Sequence, residues 1–153
     1  MPSINDLAGE LLNRIKSIAE FENKGFTIYN PTELEHLSDY VPLPLVGVIY
    51  NGAQKQENSA VSATGKAPTL STTFITVYFT VILAINYKYS ADSDTKIDAL
   101  GLLDALRSTI LGYKGVNSRP WIFNGEQPLG SETEGVIFYG QTWETNFPIS
   151  GVS

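Results

Sequence analysis

The sequence predicts an α+β fold, with two main helices packed on one face of a mixed, mainly antiparallel sheet that carries a long strand or hairpin arm. Three observations predict it. Between Ser71 and Lys88, the residues Ile75, Val77, Phe79, Val81, Leu83, Ile85 and Tyr87 alternate with Phe74, Thr76, Tyr78, Thr80, Ile82, Ala84 and Asn86. That is a period of two with one strongly apolar face and one mixed face, the pattern of an antiparallel sheet covered on one side. Two other stretches, at Ser3–Phe21 and Asp92–Gly112, place their apolar residues three and four apart, as helices do. The order of helix, strands, long strand, helix and strands lets both helices cover one sheet face.

Each element has a local reason. Ser3 with Asp6 makes a capping box for the first helix, and Ile4, Leu7, Ala8, Leu11, Leu12, Ile15, Ile18 and Ala19 form its apolar stripe. Glu10, Asn13, Arg14, Lys16, Ser17 and Glu20 are left mainly to water, and Gly25 stops the helix. Phe26–Tyr29 reads as a short strand broken by Asn30-Pro31, and Thr32–Tyr40 as a helical turn or two with Glu35 partnering Thr32. Pro42 and Pro44 precede a buried strand at Val46–Tyr50, which Asn51-Gly52 ends. Residues Ala53–Thr69 are polar and lack an apolar period, so they read as a long loop or arm.

The second helix follows the long strand. Asp94 or Thr95 caps it, Ile97, Leu100, Leu103, Leu106 and Ile110 mark its buried stripe, and Gly112 stops it. Arg119–Phe123 is a short strand with a turn at Asn124-Gly125, and Gly130–Gly135 is a second turn. Gly135–Phe147 is the closing strand, with Ile137, Tyr139, Trp143 and Phe147 on one face, and Pro148–Ser153 is a tail. No internal repeat or domain boundary interrupts residues 1–153, which read as one domain.

The long strand carries a length argument. A compact chain of this size has a diameter of about 40 Å. Residues 71–88 fully extended would span about 60 Å at the usual rise per residue. The strand therefore bends, contains a bulge, or projects. A projecting strand offers unpaired backbone groups to a neighbour.

Composition removes several functions. Ten Lys and Arg stand against sixteen Asp and Glu, a formal charge of −6, which argues against a basic nucleic-acid-binding face. There is no cysteine and only one histidine, His36, so disulfides, thiolate nucleophiles and multi-histidine zinc sites are out of reach. The N-terminus has no basic region followed by an apolar run, so no secretory signal is expected there. The uncharged stretch Ala67–Tyr87 is too rich in Thr and in polar alternation for a membrane span.

The chemical motifs are equally sparse. Gly65-Lys66 lacks the flanking Gly and Ser/Thr of a phosphate-binding loop, since Ala60 and Ala67 stand there. Asp92, Asp94 and Asp98 lack the Gly and distal Glu of a calcium loop, and acids at a helix start favour its dipole. His36 lies near Glu33, Glu35 and Asp39, but no nucleophile elbow accompanies it. Tyr113, Trp121, Phe138, Tyr139 and Trp143 make the last third aromatic, through sheet packing or as interface anchors. The exposure pattern selects candidate contact residues. These are Lys55 and Lys66 in the long polar segment, Phe74, Tyr78 and Ile82 on the mixed strand face, and Trp121 near the short strand.

The run Leu100–Tyr113, ending in Gly plus an aromatic, then Arg119–Leu129 with its prolines, then Gly135–Phe147, resembles a phage protein family. The opening amphipathic helix and the long alternating strand fit the same plan. The chain is similar in layout to the tail terminator (tail completion) proteins of tailed bacteriophages, especially the Mu-like group from contractile tails. The resemblance implies a structural virion protein that acts by capping rather than by chemistry, with no enzyme activity, cofactor or metal. It implies a homohexameric ring on the last ring of the tail tube protein, ending polymerisation. It also implies contact with the sheath protein where the tail is contractile, and with a neck or head-completion connector. DNA would pass through the lumen without specific binding, which suits an acidic protein, and no membrane is involved. Assembly in the host bacterial cytoplasm and residence at the tail–neck junction follow. Another neck or head–tail joining ring is the nearest alternative, and a small α+β ligand-binding domain or enzyme a more distant one. On the terminator reading, deleting Gln54–Lys66 spares the fold and weakens ring assembly or tail joining.

Overall fold

The computed structural model describes residues 3–55, 70–86, 99–130 and 135–152. Among these residues lie three α-helices, α1 (Ile4–Ile15), α2 (Thr32–Leu37) and α3 (Ala99–Ile110). The strands are β1 (Gly25–Thr27), β2 (Leu45–Lys55), β3 (Leu70–Asn86), β4 (Ile122–Leu129) and β5 (Val136–Val152). They form one sheet in the order β1-β2-β3-β5-β4. β1 runs parallel to β2, and every other neighbouring pair is antiparallel. The fold is α+β, with a mixed and mainly antiparallel sheet.

α1 begins as its sequence requires. Ser3 Oγ accepts from the Asp6 N–H at 3.1 Å, and the Asp6 carboxylate accepts from the Ser3 N–H at 2.9 Å. The helix ends at Ile15 rather than Phe21, because Ile18 is extended and a 3₁₀ turn at Ala19–Phe21 swings Phe21 into the core. Glu10 and Arg14 are not left to water. The Glu10 carboxylate accepts from the Asn117 N–H (3.0 Å), Asn117 Nδ2 (3.2 Å) and Ser118 Oγ (3.0 Å). Arg14 donates to the Thr109 carbonyl at 2.9 Å in the last turn of α3, and its guanidinium lies 4.6 Å from the centre of the Tyr113 ring. At α2, Glu33 rather than Glu35 closes the turn, accepting from the backbone N–H groups of Tyr29 and Asn30. Thr32 donates to the Asn30 side chain instead of capping.

α1 and α3 cover one sheet face. Leu7, Leu11 and Ile15 of α1, with Leu102, Leu103, Leu106 and Ile110 of α3, meet Val46 and Val48 of β2, Val77–Ile85 at odd positions of β3, and Trp143 and Phe147 of β5. Helices of about 12 residues are marginal alone, and burying each such side chain contributes about 1.5–3 kcal/mol, so the sheet holds them in place. α2 lies on the opposite face. There Leu34 joins Ile28, Leu45, Ile82, Ala84 and Phe138 in a second, smaller core. This explains the mixed face of β3: its Ile82 and Ala84 end is covered, while Phe74, Thr76, Tyr78 and Thr80 remain half-exposed.

Both Asn-Gly pairs are bulges within strands rather than turns. β2 passes through Asn51-Gly52 and resumes pairing with β3 from Ala53↔Val77 to Lys55↔Ile75. β4 passes through Asn124 with a shift in register between Phe123 and Gly125 and runs on to Leu129. Gly52 has φ +103°, a conformation a bulge and a tight turn both favour, so the local sequence alone cannot separate them. β4 also starts at Ile122 rather than Arg119, with Trp121 bridged to Leu111. The expected tail is strand: Pro148–Val152 pair with Leu70–Phe74. The expected arm at 53–69 is strand at 53–55, and residues 56–69 lie outside the described residues, as do the expected caps Asp94 and Thr95.

The length argument resolves through pairing. β3 and β5 form seventeen consecutive rungs without a register shift, from Leu70↔Val152 to Asn86↔Val136. β2 leaves this ladder at Lys55↔Ile75, so among the described residues Leu70–Phe74 pair only with β5.

A polar chain fixes the other edge. Gln141, fully buried on β5, donates to the Leu103 carbonyl of α3 (3.1 Å) and to Glu126 of β4 (2.8 Å), and accepts from Trp143 Nε1 (3.2 Å). Glu126 also pairs with Arg107, which pairs with Asp104. Burial alone would lower the Arg107 guanidinium; its hydrogen bonds to Glu126 and Asp104 outweigh that and hold it above its ordinary value.

Candidate assembly surface

The register of the strands defines one uncovered area of sheet. On β3 the residues Phe74, Thr76, Tyr78 and Thr80 face away from α1 and α3, and their β5 partners are Pro148, Asn146, Glu144 and Thr142. Ile122 of β4 stands opposite Glu144 on the same face and is 49% exposed. Asn51 donates to Thr80, Thr76 donates to Asn146 at 3.2 Å, and the Tyr78 hydroxyl lies 3.5 Å from Gln54 Oε1. The face is thus a lattice of hydroxyls and amides with Tyr78 and Glu144 at its middle. Such a surface is suited to direct contact with another protein, where Tyr contributes area and a hydrogen-bonding tip together.

The surface ends at two strand edges. β1 accompanies β2 only as far as Thr27↔Val48, closed by the Ile28 N–H bonded to the Val48 carbonyl at 3.0 Å. From Ile49 to Lys55, β2 has no outer strand among the described residues, and none of them adds a strand beyond β4. Where β1 stops, a cleft of about 300 Å³ opens between the start of α1 and the sheet. It is lined by Ile4, Ala8, Ile28, Ile49 and Phe79, with Tyr29 and Tyr50 at its rim, and by no carboxylate, imidazole or amine. Tyr29 is 91% exposed and Tyr50 45%.

The sequence-selected residues do not all meet on this surface. Tyr78 is at its centre. Phe74 is at its far end, half-buried, with the Arg119 guanidinium 5.3 Å from the ring centre. Lys55 ends β2 at the free edge, exposed. Ile82 and Trp121 are each 1% exposed, so their side chains are not presented at the protomer surface. Ile82 is taken up by the core under α2, and Trp121 meets Phe79 edge to face at 5.7 Å. Lys66 lies outside the described residues. Glu144, Thr142 and Asn146 are not among the residues selected from sequence, although they are the polar alternates of β5. Nor are Tyr29 and Tyr50, which flank the cleft.

Among the described residues no group of three His, Cys, Asp or Glu is placed to hold a metal ion, and no helix is long and apolar enough to cross a membrane. His36 sits in the last turn of α2. Asp92, Asp94, Asp98 and Gly65-Lys66 lie outside the described residues. Compared with known proteins, the chain matches no family model and no curated protein.

Proposed function

We propose that this chain is a structural subunit that joins copies of itself into a ring capping a phage tail tube, the terminator role that its sequence layout implies. The observation that carries the reading is the sheet area around Tyr78 and Glu144, which among the described residues is uncovered and bordered by two unlike free edges. A closed cyclic ring needs two different surfaces on each protomer, one for each neighbour, and the edges of β2 and β4 supply such a pair. In this role the ring sits on the last tube ring, stops its growth, holds the last sheath ring in a contractile tail, and presents a surface to the neck connector. The chain's charge of −6 would keep like-charged DNA from adhering to the lumen. Work of this kind needs surface complementarity and no cofactor.

The test has two parts. Light scattering and negative-stain images of the purified chain should show six-fold rings, alone or on isolated tail tubes. Phage lacking the chain should make overlong tails without heads. Tails of normal length joined to heads in its absence would refute the terminator role. Overlong tails separate this reading from a head–tail joining ring, whose loss leaves tail length unchanged.

A further inference from the structure

We infer that neighbouring copies join by strand addition: the free edge of β2 in one copy takes the free edge of β4 in the next, so that the sheet continues between protomers. The inference deepens the ring reading and rests on it.

The two edges are complementary in several respects. Each is an exposed row of backbone donors and acceptors for which a strand is the natural partner. The free part of β2 is Ile49–Lys55, and β4 is Ile122–Leu129, a closely similar length. Pro128 sits in β4, as an edge strand allows, and closes the pairing stretch at Gln127. The β2 edge carries Lys55 and no acid; the β4 edge carries Glu126 and no base. The two edges therefore carry opposite charge, with the Arg107 bound to Glu126 balanced by Asp104. Each edge has an Asn-Gly bulge, at Asn51-Gly52 and at Asn124-Gly125, which bends and twists its strand. A sheet that continues through bent edges curves, as a closed ring requires. β4 is also held in place beforehand, because Glu126 is gripped by Gln141 of β5 and Arg107 of α3, and a preordered edge loses less freedom on pairing. The β2 edge adds the apolar cleft where β1 stops, with Tyr29 and Tyr50 at its rim, so a strand laid on β2 gains apolar contact at that end.

The contact is head to tail, which gives a specific test. Ala53→Glu places an acid on the β2 edge, against Glu126, and Gln127→Lys places a base on the β4 edge, against Lys55; both residues are exposed. Each variant alone should lose at least tenfold in association constant by sedimentation. An equal mixture of the two should assemble again, since the unaltered edges pair as before and the altered edges carry opposite charges. Should either charge variant fail to fold, by circular dichroism, the natural absence of cysteine gives a second route. Gln54→Cys and Gln127→Cys place thiols on the same sheet face of the two edges. A short bismaleimide should link these two single-cysteine chains to each other and should not link either to itself. Self-linking, or dimers of Gln127→Lys alone, would mean a two-fold contact and would overturn the inference. Unchanged six-fold rings from both charge variants would overturn it while leaving the ring reading intact. A parent chain that stays monomeric to millimolar concentration would also overturn it, and tail length would then judge the ring reading separately.

Discussion

Removing the Glu10 carboxylate should free the loop Gly115–Ser118 from α1. Three hydrogen bonds end on that carboxylate, from the Asn117 N–H and Nδ2 and from Ser118 Oγ, at 3.0–3.2 Å. Hydrogen bonds to a charged group contribute about 1.5–3 kcal/mol each when buried. Here they share one half-exposed residue and do not add, so Glu10→Ala should cost about 2–3 kcal/mol. Gly115 reaches the same contact from the other side. An added Cβ would lie 1.6 Å from Glu10 Oε1, so Gly115→Ala must expel the carboxylate. Gly115 is not among the positive-φ glycines, so alanine fits its backbone and the cost is steric. Stiffening of the unfolded chain offsets about 0.4–1 kcal/mol of that cost, leaving about 1.5–2 kcal/mol. Independent effects would sum to about 4 kcal/mol in the double variant, whereas a shared contact holds the total to about 2–3 kcal/mol. Urea titration followed by tryptophan fluorescence measures this, because Trp121 and Trp143 are both buried. With a denaturant slope of about 1–3 kcal/mol/M, each single variant should lower the midpoint by roughly 1 M. Additive costs, or a Glu10→Ala midpoint equal to the parent's, would refute the reasoning.

Two further variants probe the sheet. Gln141→Leu keeps the volume but leaves the buried Trp143 Nε1 without its acceptor, and should cost about 1–3 kcal/mol in the same titration. Gly47→Val would set a Cβ 2.4 Å from Ile28 Cδ1 and 3.2 Å from Leu34 Cδ1; overpacking of this kind costs about 1–3 kcal/mol and should lower the thermal midpoint.

The periodic elements were legible in the sequence because their signals repeat. The Ser3–Asp6 box, the α1 stripe from Leu7 to Ile15, Leu103, Leu106 and Ile110 of α3, the odd-numbered face of β3, and Trp143 with Phe147 on β5 stand where periodicity put them, whereas Leu100, expected in the buried stripe, is 66% exposed and its neighbour Leu102 is buried. Local signals misled where two structures share one chemistry. Asn51-Gly52 and Asn124-Gly125 supply the same backbone freedom to a turn and to a bulge, and only pairing with β3 and β5 decides between them. Pro148–Val152 reads as a tail because its role depends on Leu70–Phe74, far away in the chain. Glu10 and Arg14 look solvent-facing by helical position, yet the loop after α3 folds back onto them. Of the surface, Tyr78 and Lys55 were legible from alternation and polarity. Ile82 and Trp121 were not, because whether a face is covered depends on where α2 and the start of β4 come to rest.

The seventeen rungs between β3 and β5 also set the order in which a nascent chain can mature. When β3 leaves the ribosome, β2 is the long partner already made among the described residues, and one flank of the most apolar stretch of β3 waits until β5 has been synthesised. Loop closure over that distance is slow compared with local pairing, and a waiting strand is prone to stick to whatever lies near. Timely translation of the last segment therefore protects the chain from premature aggregation.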